Sequence, residues 1–259
     1  MSAPAVSTDL SARHRAEAQF HDHKYESGDS FPRHYKMNPT LPVFNRLLAR
    51  LGDDLSHSRV LEYGCGTGWI TTQLAERGAA VCAFDISPEA VAQTRAALAE
   101  RNLLHRCQVE VMAGERLMYD DNTFDVAVGF AILHHLDIPL ALSQLRRVLK
   151  PGGRAYFAEP LASNPLVRAY RRLTPQYRTA DETPLDLAAL RGQLRSFSRF
   201  EHHDQLLFGA AALGCCYVPG LAGWASSVQQ LLMRVDDKVL EMMPWAGQWA
   251  WYSILVIEK

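Results

Sequence analysis

The stretch "VLEYGCGTGWITTQLAERGAAVCAFDIS", residues 60–87, decides the fold. It opens on an apolar run that ends in a loop carrying Gly64, Gly66 and Gly68. "WITTQLAERG" then reads as a helix, with Ile70, Leu74 and Ala75 on one side and Gly78 as its stop. "AAVCAFD" reads as a second strand. Strand, glycine turn, helix and strand make the opening unit of a parallel α/β sheet. Such a turn lets a ligand approach the backbone and aims N–H groups and a helix N-terminus at it.

The alternation continues downstream. "CQVEVMAG", "FDVAVGFA" and "RAYFAEP" are expected as strands three to five. The fourth is almost wholly apolar, as a strand buried on both faces should be. Ser87 is placed to cap the helix that starts at Pro88, whose Val91, Thr94 and Leu98 share a face. "PLALSQLRRVLK" is expected as a helix with Leu142, Leu145 and Leu149 inward, followed by a turn at "PGG". Upstream, "LPVFNRLLARLG" reads as a helix between Pro42 and Gly52, while residues 1 to about 38 are polar and read as loosely structured. After Pro160 the pattern changes. Residues 161 to about 198 look helical and arginine-rich, "RFEHHDQLLFG" suits a strand, and glycine-rich then helical sequence runs to about Pro244. "QWAWYSILVIEK" closes as a β-branched and aromatic strand.

With 48% apolar and 21% charged residues in 259, the chain has the mix of a soluble globular protein. A net charge of -1 and the lack of a basic stripe argue against nucleic acid as partner. Five cysteines with no CxxC pair suggest neither a disulfide framework nor a zinc site, and a cytoplasmic location is expected. The N-terminus lacks an apolar signal core. The uncharged stretch 205–233 approaches a membrane span in length but is broken by Gly209, Gly214, Pro219, Gly220 and Gly223. Shallow contact with a membrane surface is the minor reading there. Oligomeric state is left open.

Two acids narrow the ligand. The loop spacing is G-x-G-x-G, one residue short of the dinucleotide pattern G-x-G-x-x-G. Glu62 stands at the loop entrance, where it would repel a pyrophosphate but accept hydrogen bonds from an ammonium group. Asp85 ends the second strand, where a carboxylate can take both hydroxyls of a ribose. The implied ligand has a ribose and a charged amino group, and no phosphate.

"EYGCGTG", Glu62–Gly68, is similar to motif I of class I S-adenosylmethionine (SAM) methyltransferases. "DDNTFDVAVGFAILHHL" followed by "LRRVLKPGGRAYFAEP" resembles the branch that includes the ubiquinone and menaquinone C-methyltransferases. The likeness covers roughly residues 58–160. It implies a Rossmann-like, seven-stranded, mostly parallel sheet with helices on both faces, an antiparallel last strand and a helical cap. It also implies a division into an N-terminal lid or helical segment (1–57), a SAM-binding core (58–160) and cap inserts with the last two strands (161–259). SAM would be the cofactor and S-adenosylhomocysteine the product. By the same resemblance Glu62 meets the methionyl amino group, and Gly64, Cys65, Gly66, Thr67 and Gly68 pack against the methionine and ribose. Asp85 takes the ribose hydroxyls, Ile86 packs on the adenine, and Phe130 and Tyr35 face the cofactor. Many relatives carry an adenine-binding aspartate after the third strand. Here Ala113, Gly114 and Glu115 stand in that region, so the adenine would rely on backbone near Gly114 or on Glu115.

Methyl transfer from a sulfonium needs alignment and exclusion of water, and a base only for a weakly acidic acceptor. His134 and His135, after the fourth strand, are the candidate bases. No metal-ligand spacing occurs, so no metal is expected. The acceptor is expected to be a small molecule, apolar or aromatic, held by outlying segments. These are the aromatic N-terminus (Phe20, Tyr25, Phe31, Tyr35) and the hydrophobic cap (Leu221, Trp224, Leu231, Leu232, Met233, Met242, Met243, Trp245), which fits equally a cap packing on itself. Arg168, Arg171, Arg172 and Arg178 either hold an anion or face solvent. Methylation of a small thiol and a non-catalytic SAM-binding regulatory module are the competing readings.

Overall fold

The structure, a computed structural model, describes residues 10–27, 40–174, 179, 182–218 and 220–259. The strands are β1 (Arg59–Tyr63), β2 (Ala80–Asp85), β3 (Cys107–Val111), β4 (Phe124–Phe130), β5 (Leu149–Pro160), β6 (Arg199–Gln205) and β7 (Tyr252–Glu258). They form one sheet in the order β3-β2-β1-β4-β5-β7-β6. β7 runs antiparallel to both of its neighbours, and every other pairing is parallel. The strand order reverses between β1 and β4. In such sheets the crevice outside the carboxyl ends of those two strands is where a ligand can enter.

Helices cover both faces. On one side lie α2 (Leu41–Leu51), α3 (Trp69–Glu76) and α4 (Pro88–Glu100), whose Val43, Phe44, Leu74, Val91 and Leu98 pack on Val60, Val81 and Val128. On the other, α5 (Ile138–Val148) and α7 (Leu187–Gln193) set Leu142, Leu145 and Leu190 against Leu61, Ala127 and Phe157, with α6 (Pro165–Leu173) between them in the chain. The Ser87 hydroxyl accepts from the Ala90 amide at 3.0 Å and caps α4 as the sequence predicts.

Three expectations change. Residues Leu10–Ser27 form a helix, α1, rather than loose chain. It was hidden because its inward stripe is polar, so it has no apolar period to read. The "PGG" segment does not leave the sheet. β4 passes from Phe124 to Val126 while β5 passes from Leu149 to Arg154, so the glycines form a bulge within β5. Leu149 opens that strand, and Val148 takes the buried helical place. In the cap, Met233 is buried, but Trp224, Leu231, Met242 and Trp245 are exposed along and beside α8 (Ala225–Met242).

Candidate functional site

The loop after β1 is tied to the end of β2. Gly64 and Cys65 donate their N–H groups to the Phe84 carbonyl at 2.9 and 3.0 Å. Gly68 has φ of 80° and ends the loop at the start of α3. A Cβ there would stand 2.9 Å from the Thr94 backbone, so the loop packs directly on α4. Asp85 organises the same loop. Its Oδ2 accepts from the Gly66 amide and its Oδ1 from the Ser87 amide, each at 3.0 Å. A carboxylate oxygen has two lone pairs, so both can still receive a ligand hydroxyl.

Glu62 is wholly buried behind this loop. Neither carboxylate oxygen meets a donor in hydrogen-bonding geometry among the described residues. Burial pushes its pKa up to about 8, against an opposing pull from Thr71 and with a smaller push from Asp85. A buried acid left without partners is costly, and it suits a cationic ligand group.

A partly open cavity of about 100 Å³ lies over the crevice, between the sheet and α1. It gathers Gly64, Asp85, Ile86, Ala113, Gly114, Glu115, Phe130 and His135 from the predicted set. Glu62, Cys65, Gly66, Thr67, Gly68 and His134 do not line it. The Tyr25 hydroxyl instead stands over Gly66, 3.1 Å from where a Cβ would be. Among the described residues, none of the cap from 209–245 lines this cavity. Tyr35, Phe31 and Arg178 lie outside the described residues. Arg171 pairs with Glu182 at 2.6 Å, and Arg168 and Arg172 are exposed.

The two histidines separate. His134 is buried, and its Nδ1 donates to Glu159 Oε2 at 2.7 Å, since a carboxylate can only accept. Glu159 Oε1 accepts from the Ile132 and Leu133 amides at 2.9 and 2.8 Å. Burial, with the neighbouring His135, pulls the His134 pKa down against the pull of Glu159 and Glu182. His134 therefore serves the loop. His135 lines the cavity, and its Nδ1 lies 3.2 Å from Glu17 Oε2. Glu115 is also engaged. Its Oε1 accepts from the Asp137 amide at 2.9 Å, and its Oε2 is 3.2 Å from His14 Nε2.

Sequence reading missed His14 and Glu17 of α1 and Met112 after β3, all of which line the cavity. His14, Glu17, His21 and Tyr25 follow helical spacing, a stripe that a search for apolar residues passes over. Asp22 fixes the helix by accepting from the Ser87 hydroxyl and, at 3.3 Å, from the Glu89 amide.

Residues 60–153 match a family model described as "Methyltransferase domain". An uncharacterized methyltransferase of Mycobacterium tuberculosis is 40% identical over 96 residues, 37% of each chain. A ubiquinone/menaquinone biosynthesis C-methyltransferase of Geobacter sulfurreducens is 34% identical over 123 residues, 46% of this chain and 47% of that one. The chain thus spans less than half the length of these curated relatives. Among solved structures, phosphoethanolamine N-methyltransferase 2 of Haemonchus contortus, in complex with phosphomonomethylethanolamine and S-adenosylhomocysteine, shares the fold. Its TM-score is 0.62 at 20% identity, over 83% of this chain and 52% of that one.

Proposed function

We propose that this chain, whose residues 60–153 match a methyltransferase domain, is a class I SAM-dependent enzyme that transfers a methyl group from SAM to a small-molecule acceptor. The observation that carries the reading is the pair of acids around the glycine loop. Asp85 faces the cavity with both oxygens organised, and Glu62 is buried beside Thr71 with no hydrogen bond in good geometry among the described residues. These are the groups a ribose and an ammonium would need. SAM supplies the activated methyl on a sulfonium. The chain's own part is to bind, orient and exclude water.

In that assignment Asp85 holds the ribose, Glu62 serves the methionyl end, and the backbone of Gly64 to Gly68 lies along the cofactor. Ile86, Ala113 and Gly114 flank the adenine. Because Glu115 is already bonded to the Asp137 amide, its role is to shape the adenine wall. Phe130 stacks on Tyr252 at 5.7 Å and supports the methionyl end from the sheet. His135 is the histidine placed to meet an acceptor, while His134 positions the loop. The acceptor's nucleophilic atom is O, S, N or C. Incubation with labelled SAM and a panel of phenols, thiols, amines and quinones should show transfer to at least one class. Tight SAM binding with no transfer across the panel would favour a regulatory binding module instead.

Glu62 gives the assignment a proton signature. With a pKa near 8 it is neutral at pH 7 before the ligand arrives. An ammonium partner favours the carboxylate, so binding SAM at pH 7 should release a proton. Affinity should rise as pH climbs from about 6 to 8 and then level off. Calorimetry at pH 7 in buffers of different ionisation enthalpy reads this directly. Zero proton release would remove Glu62 from the ligand contact.

A further inference from the structure

We propose that Glu17, His21 and His135 form a site for a divalent first-row transition ion, which fastens α1 across the cavity. The three donor atoms lie within 4.8 Å of one another. His135 Nδ1 is 3.2 Å and His21 Nε2 is 3.5 Å from the same carboxylate oxygen, Glu17 Oε2. Ligands held about 2.1 Å from one ion stand roughly 3.0–3.4 Å apart in octahedral or tetrahedral geometry. The observed separations therefore need little adjustment.

A second observation points to a ligand between them. Glu17 Oε2 and His135 Nδ1 are both buried, and neither makes a hydrogen bond among the described residues. The Glu17 side chain is 6% exposed. Its other oxygen, Oε1, is held by the Thr179 hydroxyl, which leaves Oε2 aimed at the histidines. An ion–dipole pairing without metal would require His135 to present its Nδ1 hydrogen to that oxygen, and the geometry fails this.

The neighbouring trio, His134, His135 and Glu182, is a weaker candidate. Its carboxylate oxygen, Glu182 Oε1, stands 3.7 Å from His134 Nε2 and is already held by Arg171 at 2.6 Å. Two imidazoles and one carboxylate suit zinc, iron(II), cobalt(II) or manganese(II). Three protein donors leave coordination positions open, and all three residues line the cavity. On the methyl-transfer reading, those positions would hold an acceptor oxygen or sulfur in its deprotonated form. The ion would also join α1 to the loop after β4, which sequence alone could not suggest, because Glu17 and His135 lie far apart in the chain.

The test needs neither SAM nor acceptor, so a failed transfer assay leaves it standing. The full chain, free of any affinity tag and stripped with a chelator, is titrated with cobalt(II) and zinc(II). One equivalent should bind, with a cobalt ligand-field spectrum. Glu17→Gln and His21→Ala should each weaken uptake at least about 100-fold. His23→Ala, on the exposed side of the same helix, should leave it unchanged. Thermal melts of the stripped proteins show whether each variant is folded. His135→Ala provides a third loss-of-ligand variant that leaves α1 intact. Absence of stoichiometric uptake, or uptake that survives all three ligand substitutions, would overturn the proposal.

Discussion

Asp85→Ala is expected to lower the affinity for SAM at least about 100-fold, near 2.7 kcal/mol. Two contributions add. The ribose hydroxyls lose a charged acceptor, where each such hydrogen bond contributes about 1.5–3 kcal/mol. The loop also loses its organiser, because the Gly66 and Ser87 amides both donate to this carboxylate. Asp85→Asn should fall between, since an amide oxygen can accept from one of those groups only. Calorimetry with SAM and with S-adenosylhomocysteine measures both variants. An alanine variant that binds as the parent does would sink the ribose assignment.

The largest effect on stability is expected at Glu159→Ala. This acid is fully buried and accepts from the Ile132 and Leu133 amides and the His134 ring. Removing it leaves two buried donors and one part-buried donor without acceptors, each buried one costing about 1–3 kcal/mol. A loss of at least about 3 kcal/mol should appear in urea unfolding. Glu159→Gln keeps an oxygen for the two amides and should lose clearly less. If the alanine variant unfolds within about 1 kcal/mol of the parent, Glu159 does not hold the loop. The effect should reach the site as well, because Ile132 and His135 line the cavity.

These two acids also mark what could be read in the chain. Asp85 was legible because a strand end, a glycine loop and a helix cap are all local patterns. The parallel sheet, though not its strand order, followed from strand–helix alternation, and Glu62 from its place beside the glycines. Glu159 was not legible as a partner of His134, because the contact crosses from β5 to the loop after β4. The same holds for α1. Its inward residues, His14, Glu17, His21 and Tyr25, are polar or amphipathic, so hydrophobic periodicity had nothing to register. His134 and His135 are adjacent in sequence yet meet different partners, Glu159 and Glu17, which only the fold brings to them. The exposed cap residues show the converse: apolar composition alone does not say which surface a side chain faces.

The polar inner side of α1 bears on how anything enters. The cavity beneath it is about 100 Å³, while sites for small ligands run to roughly 300–1,000 Å³. On the proposed assignment, this helix would move aside to admit a nucleoside. A door lined with leucines would expose oil to water each time it opened. One lined with imidazoles, carboxylates and a phenol is wetted as readily as its outer side. Its latch is then chemical rather than hydrophobic, so acidity and dissolved ions, more than temperature, should set how often it stands ajar.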